Sequence, residues 1–258
     1  MTRTLLAALM ITAFTSQNPA PPPPATDCQE TAGALQRVLT NDARLRDWPQ
    51  LARYRDANQT LAPARSGEAR VVFMGDSITD IWQQERFGFF VASKPYVDRG
   101  ISGQTTPQML VRFRPDVIDL KPNVVVILAG TNDIAGNTGP MTNEDVERNL
   151  ASMAELAKAH GIKVVMASIT PTSAYHPPAN GGAPQTTQRP MARIKAINEW
   201  MQKYAAEYGH VYLDYFTPML DSTGVMKAEL TGDDLHPNAA GYAIMAPLAE
   251  AAVQRALR

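Results

Sequence analysis

The chain has 258 residues, 45% of them hydrophobic and 19% charged, with a formal net charge of −1. That composition belongs to a globular protein and excludes a disordered or fibrous one. The 24 lysines and arginines are scattered, with no basic stripe or block of the kind a nucleic-acid partner requires.

At the N-terminus, Arg3 supplies a positive charge and Leu5 to Phe14 is almost wholly apolar but too short to span a bilayer comfortably. This pattern predicts a secretory signal peptide over residues 1–20, with Ala13 and Thr15 as candidate small residues before a cut, and a secreted or periplasmic location. Pro21 to Pro24 predicts a stiff extended spacer over residues 21–27. The single cysteine, Cys28, excludes an intrachain disulfide and a multi-cysteine zinc site. Asp27 stands where a lipoprotein signal would place a small residue, so Cys28 reads as an unmodified thiol.

From Thr31 to about Gln59 the pattern is helical, anchored by Leu35, Val38, Leu39 and Leu45 and then by Trp48, Leu51 and Tyr54 beyond a break at Pro49. It predicts a helical N-terminal extension over residues 28–66, packed on a main domain over 67–258. Short apolar runs then alternate with amphipathic ones. Val71–Met74, Tyr96–Asp98, Val124–Leu128, Lys163–Ile169 and Val211–Leu213 read as strands. Between them lie predicted helices: one carrying Met109, Val111 and Phe113, and one opening on a Thr142–Asp145 capping box. Another starts at Pro190 and presents Ile194, Ile197, Met201, Tyr204 and Tyr208, and the last runs from Ala239 to Ala256. Five apolar strands separated by helices predict an α/β fold with a five-stranded parallel sheet covered on both faces.

In such a sheet the ligand lies beyond the carboxyl ends of the strands. Gly75-Asp76-Ser77 follows the first strand and Ile101-Ser102-Gly103 the second. Gly130-Thr131-Asn132-Asp133 follows the third, and Asp233-Asp234-Leu235-His236 comes after the fifth. A serine hydroxyl needs a neighbouring base, histidine suits that task, and a carboxylate holds the imidazole. Ser77, His236 and Asp233 are therefore the candidate nucleophile, base and orienting acid. The backbone N–H groups of Ser77 and Gly103 and the Asn132 amide are the candidate oxyanion donors, glycine at 103 having no side chain to block approach.

Asp76 and Asp133 read as local braces, Asp80 as a solvated helix residue, and His160 and His210 as structural. Tyr175 and His176 sit in a loop, Pro171 to Pro190, with five prolines. Its length makes them candidates for touching substrate. With no His-Glu-x-x-His or clustered ligand set, no catalytic metal and no cofactor are expected. A flavin or nucleotide binder on the same sheet would need a Gly-x-x-x-x-Gly-Lys or Gly-x-Gly-x-x-Gly cradle, and none follows a strand.

The four clusters, in this order from Val71 to Tyr242, resemble the sequence blocks of the SGNH hydrolases, also called GDSL esterases and lipases. Ile78 stands where the family name implies leucine. The resemblance implies a flavodoxin-like three-layer α/β/α sandwich and metal-independent ester hydrolysis through an acyl-serine. Its members include acetylesterases on carbohydrates, arylesterases, thioesterases and lysophospholipases. Short loops after the first three strands suggest an open site, favouring acetyl or short acyl esters of small molecules or glycans. Lysophospholipids and transfer of the acyl group to an alcohol remain the alternatives. No integral membrane span is expected in the mature chain, and nothing in the sequence sets an oligomeric state.

Overall fold

The computed structural model describes residues 28–65, 67–178 and 181–258. The predicted signal peptide and proline spacer lie outside the described residues. The chain divides into two units at residues 45 and 46. The described part of the first is a helix, α1, which spans Cys28–Arg46 and ends one residue inside the second.

The second unit carries the sheet. Strands β1 (Val71–Gly75), β2 (Tyr96–Gly100), β3 (Val124–Leu128), β4 (Lys163–Ala167) and β5 (Val211–Leu213) are all parallel. Their order is β2-β1-β3-β4-β5, the doubly wound flavodoxin-like order. The expected α/β class and parallel sheet are therefore present. Burial explains the strand sequences: β1 and β3 are buried at every position, so they can be apolar throughout rather than alternating.

Successive residues of each strand point to opposite faces. Val72, Met74, Val125, Ile127, Val164 and Met166 enter one core, which is completed by α4 (Thr106–Asp116), α6 (Asn143–Ala159) and α8 (Met191–Tyr208). Val71, Phe73, Val124, Val126, Val165 and Ala167 enter the other, completed by α3 (Ser77–Trp82) and α9 (Ala239–Leu257). Three layers result. The second core is aromatic near the nucleophile turn. Trp82 stacks between Phe89 and Tyr242, at 4.1 and 5.3 Å between ring centroids, and the Tyr242 hydroxyl donates to Ile78 O at 2.8 Å. The last helix of the chain is thereby fixed to the helix that begins at Ser77.

Local signals behave as their chemistry requires. The Thr142–Asp145 capping box forms at the start of α6. Pro190 sits at the N-cap of α8, one place before the expected first turn. Val111 is exposed while Met109 and Phe113 are buried, because residues two apart on a helix do not share a face. Of the segment predicted as helical up to Gln59, only α2 (Arg55–Thr60) is helix beyond Pro49. This stretch is held by side-chain bonds instead of an apolar stripe. Tyr54 is buried and its hydroxyl donates to Gly100 O, and Asn58 Nδ2 donates to Pro115 O at 3.0 Å and Asp116 Oδ1 at 2.7 Å. Among the described residues no helix is long and apolar enough to cross a membrane.

Candidate active site

The site lies beyond the carboxyl ends of the strands, where the chain leaves β1 toward β2 on one side and β3 on the other. Asp76 ends the turn after β1 and caps α3, its Oδ1 accepting from Ile78 N at 2.9 Å. Ser77 is thus the first residue of a helix, 7% exposed. Two long-range bonds hold the turn at Gly75 O: Ile101 N donates to it at 3.0 Å, and Arg112, fully buried on α4, donates to it through one Nη at 3.0 Å.

Ser77 Oγ lies 2.9 Å from His236 Nε2, and His236 Nδ1 lies 2.6 Å from Asp233 Oδ2. The carboxylate facing Nδ1 selects the tautomer in which that nitrogen carries the proton, leaving Nε2 to accept from the serine hydroxyl. The three-residue spacing is closed locally. Asp233 Oδ1 accepts from Leu235 N at 3.1 Å and His236 N at 2.8 Å, and Thr231 Oγ1 donates to it at 3.2 Å. Partial burial would raise the Asp233 carboxyl, but the bonds from the His236 ring and backbone outweigh it and hold the group well below the usual carboxylate range. Asp233 is therefore an anion throughout the neutral range. A serine, imidazole and carboxylate joined in this way can generate a nucleophile at neutral pH.

Gly103 and Asn132 come from the loops after β2 and β3. Gly103 has φ +81°, and a Cβ built there meets nothing closer than 3.9 Å. Its left-handed backbone, more than crowding, calls for glycine. Asn132 is buried at the start of α5 (Thr131–Ile134), and its Nδ2 donates to Gln104 O at 3.0 Å. One N–H of this amide remains beyond that bond.

Three carboxylates brace these loops. Asp133 Oδ1 accepts from Thr106 N at 2.9 Å and Thr106 Oγ1 at 2.6 Å, joining the loop after β3 to the start of α4. Burial pushes its carboxyl up. Asp76 is almost completely buried and burial pushes it up to about 6 against the Ile78 N–H bond. Asp80 differs from the solvated residue expected. Its Oδ2 accepts from Ser102 Oγ at 2.6 Å and Ser102 N at 3.2 Å, tying α3 to the loop that carries Gly103.

Tyr175 and His176, on the segment after β4, are bonded to Asp234, two residues before His236. The half-exposed His176 contacts Asp234 through N at 2.7 Å to Oδ2 and Nδ1 at 3.1 Å to Oδ1. Tyr175 OH donates to Asp221 Oδ2 at 2.5 Å. Asp234 also accepts from Ser173 Oγ and Tyr175 N. It holds the non-glycine φ of +66°, a strained backbone these bonds stabilise. The other two histidines lie apart: His160 caps α6, with Nδ1 2.8 Å from Leu156 O, and His210 precedes β5 at its far end. Among the described residues no three His, Cys, Asp or Glu side chains form a group that could hold a metal ion.

Sequence reasoning missed Arg112, Arg189 and Asp234. The Asp-Asp doublet at 233–234 was a signal for the last; nothing local ties either arginine to the site, since the partners that do so, Gly75 O and Asn132 Oδ1, are 37 and 57 residues away.

The sequence model of the GDSL-like lipase/acylhydrolase family matches residues 73–244. A candidate acylhydrolase of Bacteroides fragilis NCTC 9343 is 39% identical, over 82% of this chain and 99% of that one, with a TM-score of 0.75. A GDSL-like lipase of Bacteroides thetaiotaomicron VPI-5482 is 38% identical over 81% and 98%, with a TM-score of 0.72. Esterase TesA of Pseudomonas aeruginosa is 30% identical over 55% of this chain and 60% of its own. The chain spans 32% and 60% of the lengths of the two curated relatives it matches.

Proposed function

The chain belongs to the GDSL-like lipase/acylhydrolase family, and from that premise we propose that it is a carboxylic ester hydrolase that cleaves acetyl and other short acyl esters through an acyl-serine on Ser77. The observation that carries this reading is the continuous pair of contacts from Ser77 Oγ to His236 Nε2, 2.9 Å, and from His236 Nδ1 to Asp233 Oδ2, 2.6 Å. Ser77 Oγ attacks the ester carbonyl carbon as its proton passes to Nε2. The oxyanion is held by the N–H groups of Ser77 and Gly103 and by the Asn132 amide. Collapse breaks the bond to the alcohol, which leaves with the proton from His236. Water then repeats the cycle and frees the acid.

The preference for short acyl groups rests on openness. His236 and Asp233 side chains are 28% and 53% exposed, and the loops after β1, β2 and β3 are too short to roof a long alkyl chain. Small-molecule or glycan acetyl esters fit such a site. Tyr175 and His176 are the candidates to meet the alcohol portion, a reading supported by their bonds to Asp234 on the base loop.

A p-nitrophenyl ester series from acetyl to dodecanoyl, run beside acetylated xylan and a lysophospholipid, tests the reading. Acetyl or butyryl should turn over fastest, and Ser77→Ala should lower kcat by more than about 10³-fold, leaving only what binding and the oxyanion donors supply. A maximum at long acyl chains overturns the substrate assignment. Retention of a tenth of the activity in Ser77→Ala overturns the nucleophile. Added alcohol that diverts the acyl group into a new ester would mark a transferase.

A further inference from the structure

Arg189 stands between α7 (Gln185–Gln188) and Pro190, at the end of the long segment after β4. It is 5% exposed. One Nη donates to Gln185 Oε1, the other to Asn132 Oδ1 at 3.5 Å, and Nε meets no partner among the described residues. Its charge feels Asp76 and Asp233, yet among the described residues it is not within ion-pair distance of either. Burial lowers its pKa, as expected for a cation taken from water without a direct counter-ion, an arrangement a fold seldom retains for stability alone.

The Asn132 amide has two ends, and each has one partner. Nδ2 donates to Gln104 O at 3.0 Å, and Oδ1 accepts from Arg189. Turned over, the oxygen would face a carbonyl and the nitrogen would face a guanidinium, so both contacts disfavour the flipped amide. With one hydrogen committed to Gln104, the direction of the remaining N–H is set. A cation on the oxygen end also draws electron density from the nitrogen, making that N–H a stronger donor in a site of low dielectric.

We propose that Arg189 is a positioning residue for ester hydrolysis: it grips the Asn132 amide by its oxygen, aims the free N–H at the oxyanion and strengthens it as a donor. The inference rests on the reading of Asn132 as an oxyanion donor. Arg189 itself touches neither substrate nor the reacting atoms.

A double-mutant cycle on p-nitrophenyl acetate separates the two. Arg189→Met should lower kcat on the order of tenfold, a part of the ~10²–10³-fold that losing the donor itself costs. KM should stay within about twofold, since the interaction acts in the transition state. In an Asn132→Ala background the same substitution should cost nothing further, because the group it acts through is gone. Arg189→Lys, which keeps the charge but not the fork, should recover part of the loss and serves as the variant if Arg189→Met does not fold. An equal loss in both backgrounds, or one confined to KM, overturns the inference while leaving Asn132 in place. If Asn132→Ala alone leaves kcat unchanged, the oxyanion reading fails and the role of Arg189 falls with it.

Discussion

The nucleophile wall and the base loop face each other across the site and are built in opposite ways. Behind Ser77 and Gly103 lies a buried polar lattice drawn from distant parts of the chain. Arg112 reaches Gly75 O, Gln104 Oε1 and Asp116, while Gln104 Nε2 donates to Pro49 O and Gln108 Nε2 to Trp48 O. Tyr54, with Asp98 and Arg99 of β2, continues it. The His236 ring, by contrast, is held by the partly exposed Asp233 through bonds within Thr231 to His236 that span two or three residues, and the long-range bonds of that stretch are those of Asp234 to Ser173, Tyr175 and His176. The nucleophile's position is part of the fold's stability, and the base's position is a local turn resting on it. Substitutions on the two sides should therefore fail differently.

The largest effect is expected on the base side. Asp233→Asn keeps the shape but presents an amide that favours the wrong imidazole tautomer, and should lower kcat on the order of 10⁴-fold. Because the carboxylate is half exposed and bonded locally, the urea midpoint should barely move. A collapse of stability in this variant would erase the contrast between the two sides. Asn132→Ala follows, with roughly 10²–10³-fold in kcat. Its buried bond to Gln104 O should add a measurable loss of stability as well, placing it on the lattice side. Third comes Arg112→Met. This leaves the Asp116 carboxylate buried without its cation and should cost about 3–5 kcal/mol in unfolding free energy. At temperatures where the variant is folded, activity should fall far less than in Asp233→Asn. A loss of stability below about 1 kcal/mol would show that the lattice is not what holds the nucleophile turn.

The same contrast explains what the sequence disclosed. Elements whose cause is local were legible: the five aliphatics of β3, the Thr142–Asp145 box of α6, and the Asp233-x-x-His236 turn, whose partners sit three residues apart. Ser77, Gly103 and Asn132 could be pointed to because a parallel sheet sends the ends of its strands to one edge, so position after a strand carries spatial information. The lattice was not legible. Arg112 and Gly75 are 37 residues apart, and Tyr54 and Gly100 are 46 apart, so no spacing rule joins them. Pattern alone reads the stretch from Trp48 to Gln59 as helical, yet it presents the Trp48 and Pro49 carbonyls to the amides of Gln108 and Gln104, and Asn58 to Asp116 and Arg99. Asp80 misled for a related reason: its partner, Ser102, lies 22 residues away in the loop after β2.

The smallest effect should appear deep in the lattice and only in its pH dependence. Asp98 is a buried residue of β2, with Oδ1 accepting from Gly100 N at 2.9 Å and from Tyr54 OH at 3.2 Å, and Oδ2 without a partner among the described residues. Burial pushes its carboxyl up to about 7; the nearby Asp80 adds to this, while the Gly100 and Tyr54 bonds and the Arg99 charge oppose it. The folded state thus binds this proton more tightly than the unfolded chain does. Its contribution to stability is most favourable below the ordinary carboxylate range and is lost as pH rises through about 7. Asp98→Asn keeps both bonds to Oδ1 and cannot ionise. Between about pH 5 and about pH 8 its unfolding free energy should decline less than that of the wild type, so the variant gains relative stability at the alkaline end. Urea titrations of both proteins across that window decide it. Parallel curves would mean that Asp98 titrates as an ordinary surface carboxylate, and that the lattice behind the nucleophile is wetter than its burial implies. Activity of Asp233→Asn should be blind to this titration, because the base loop takes none of its geometry from β2.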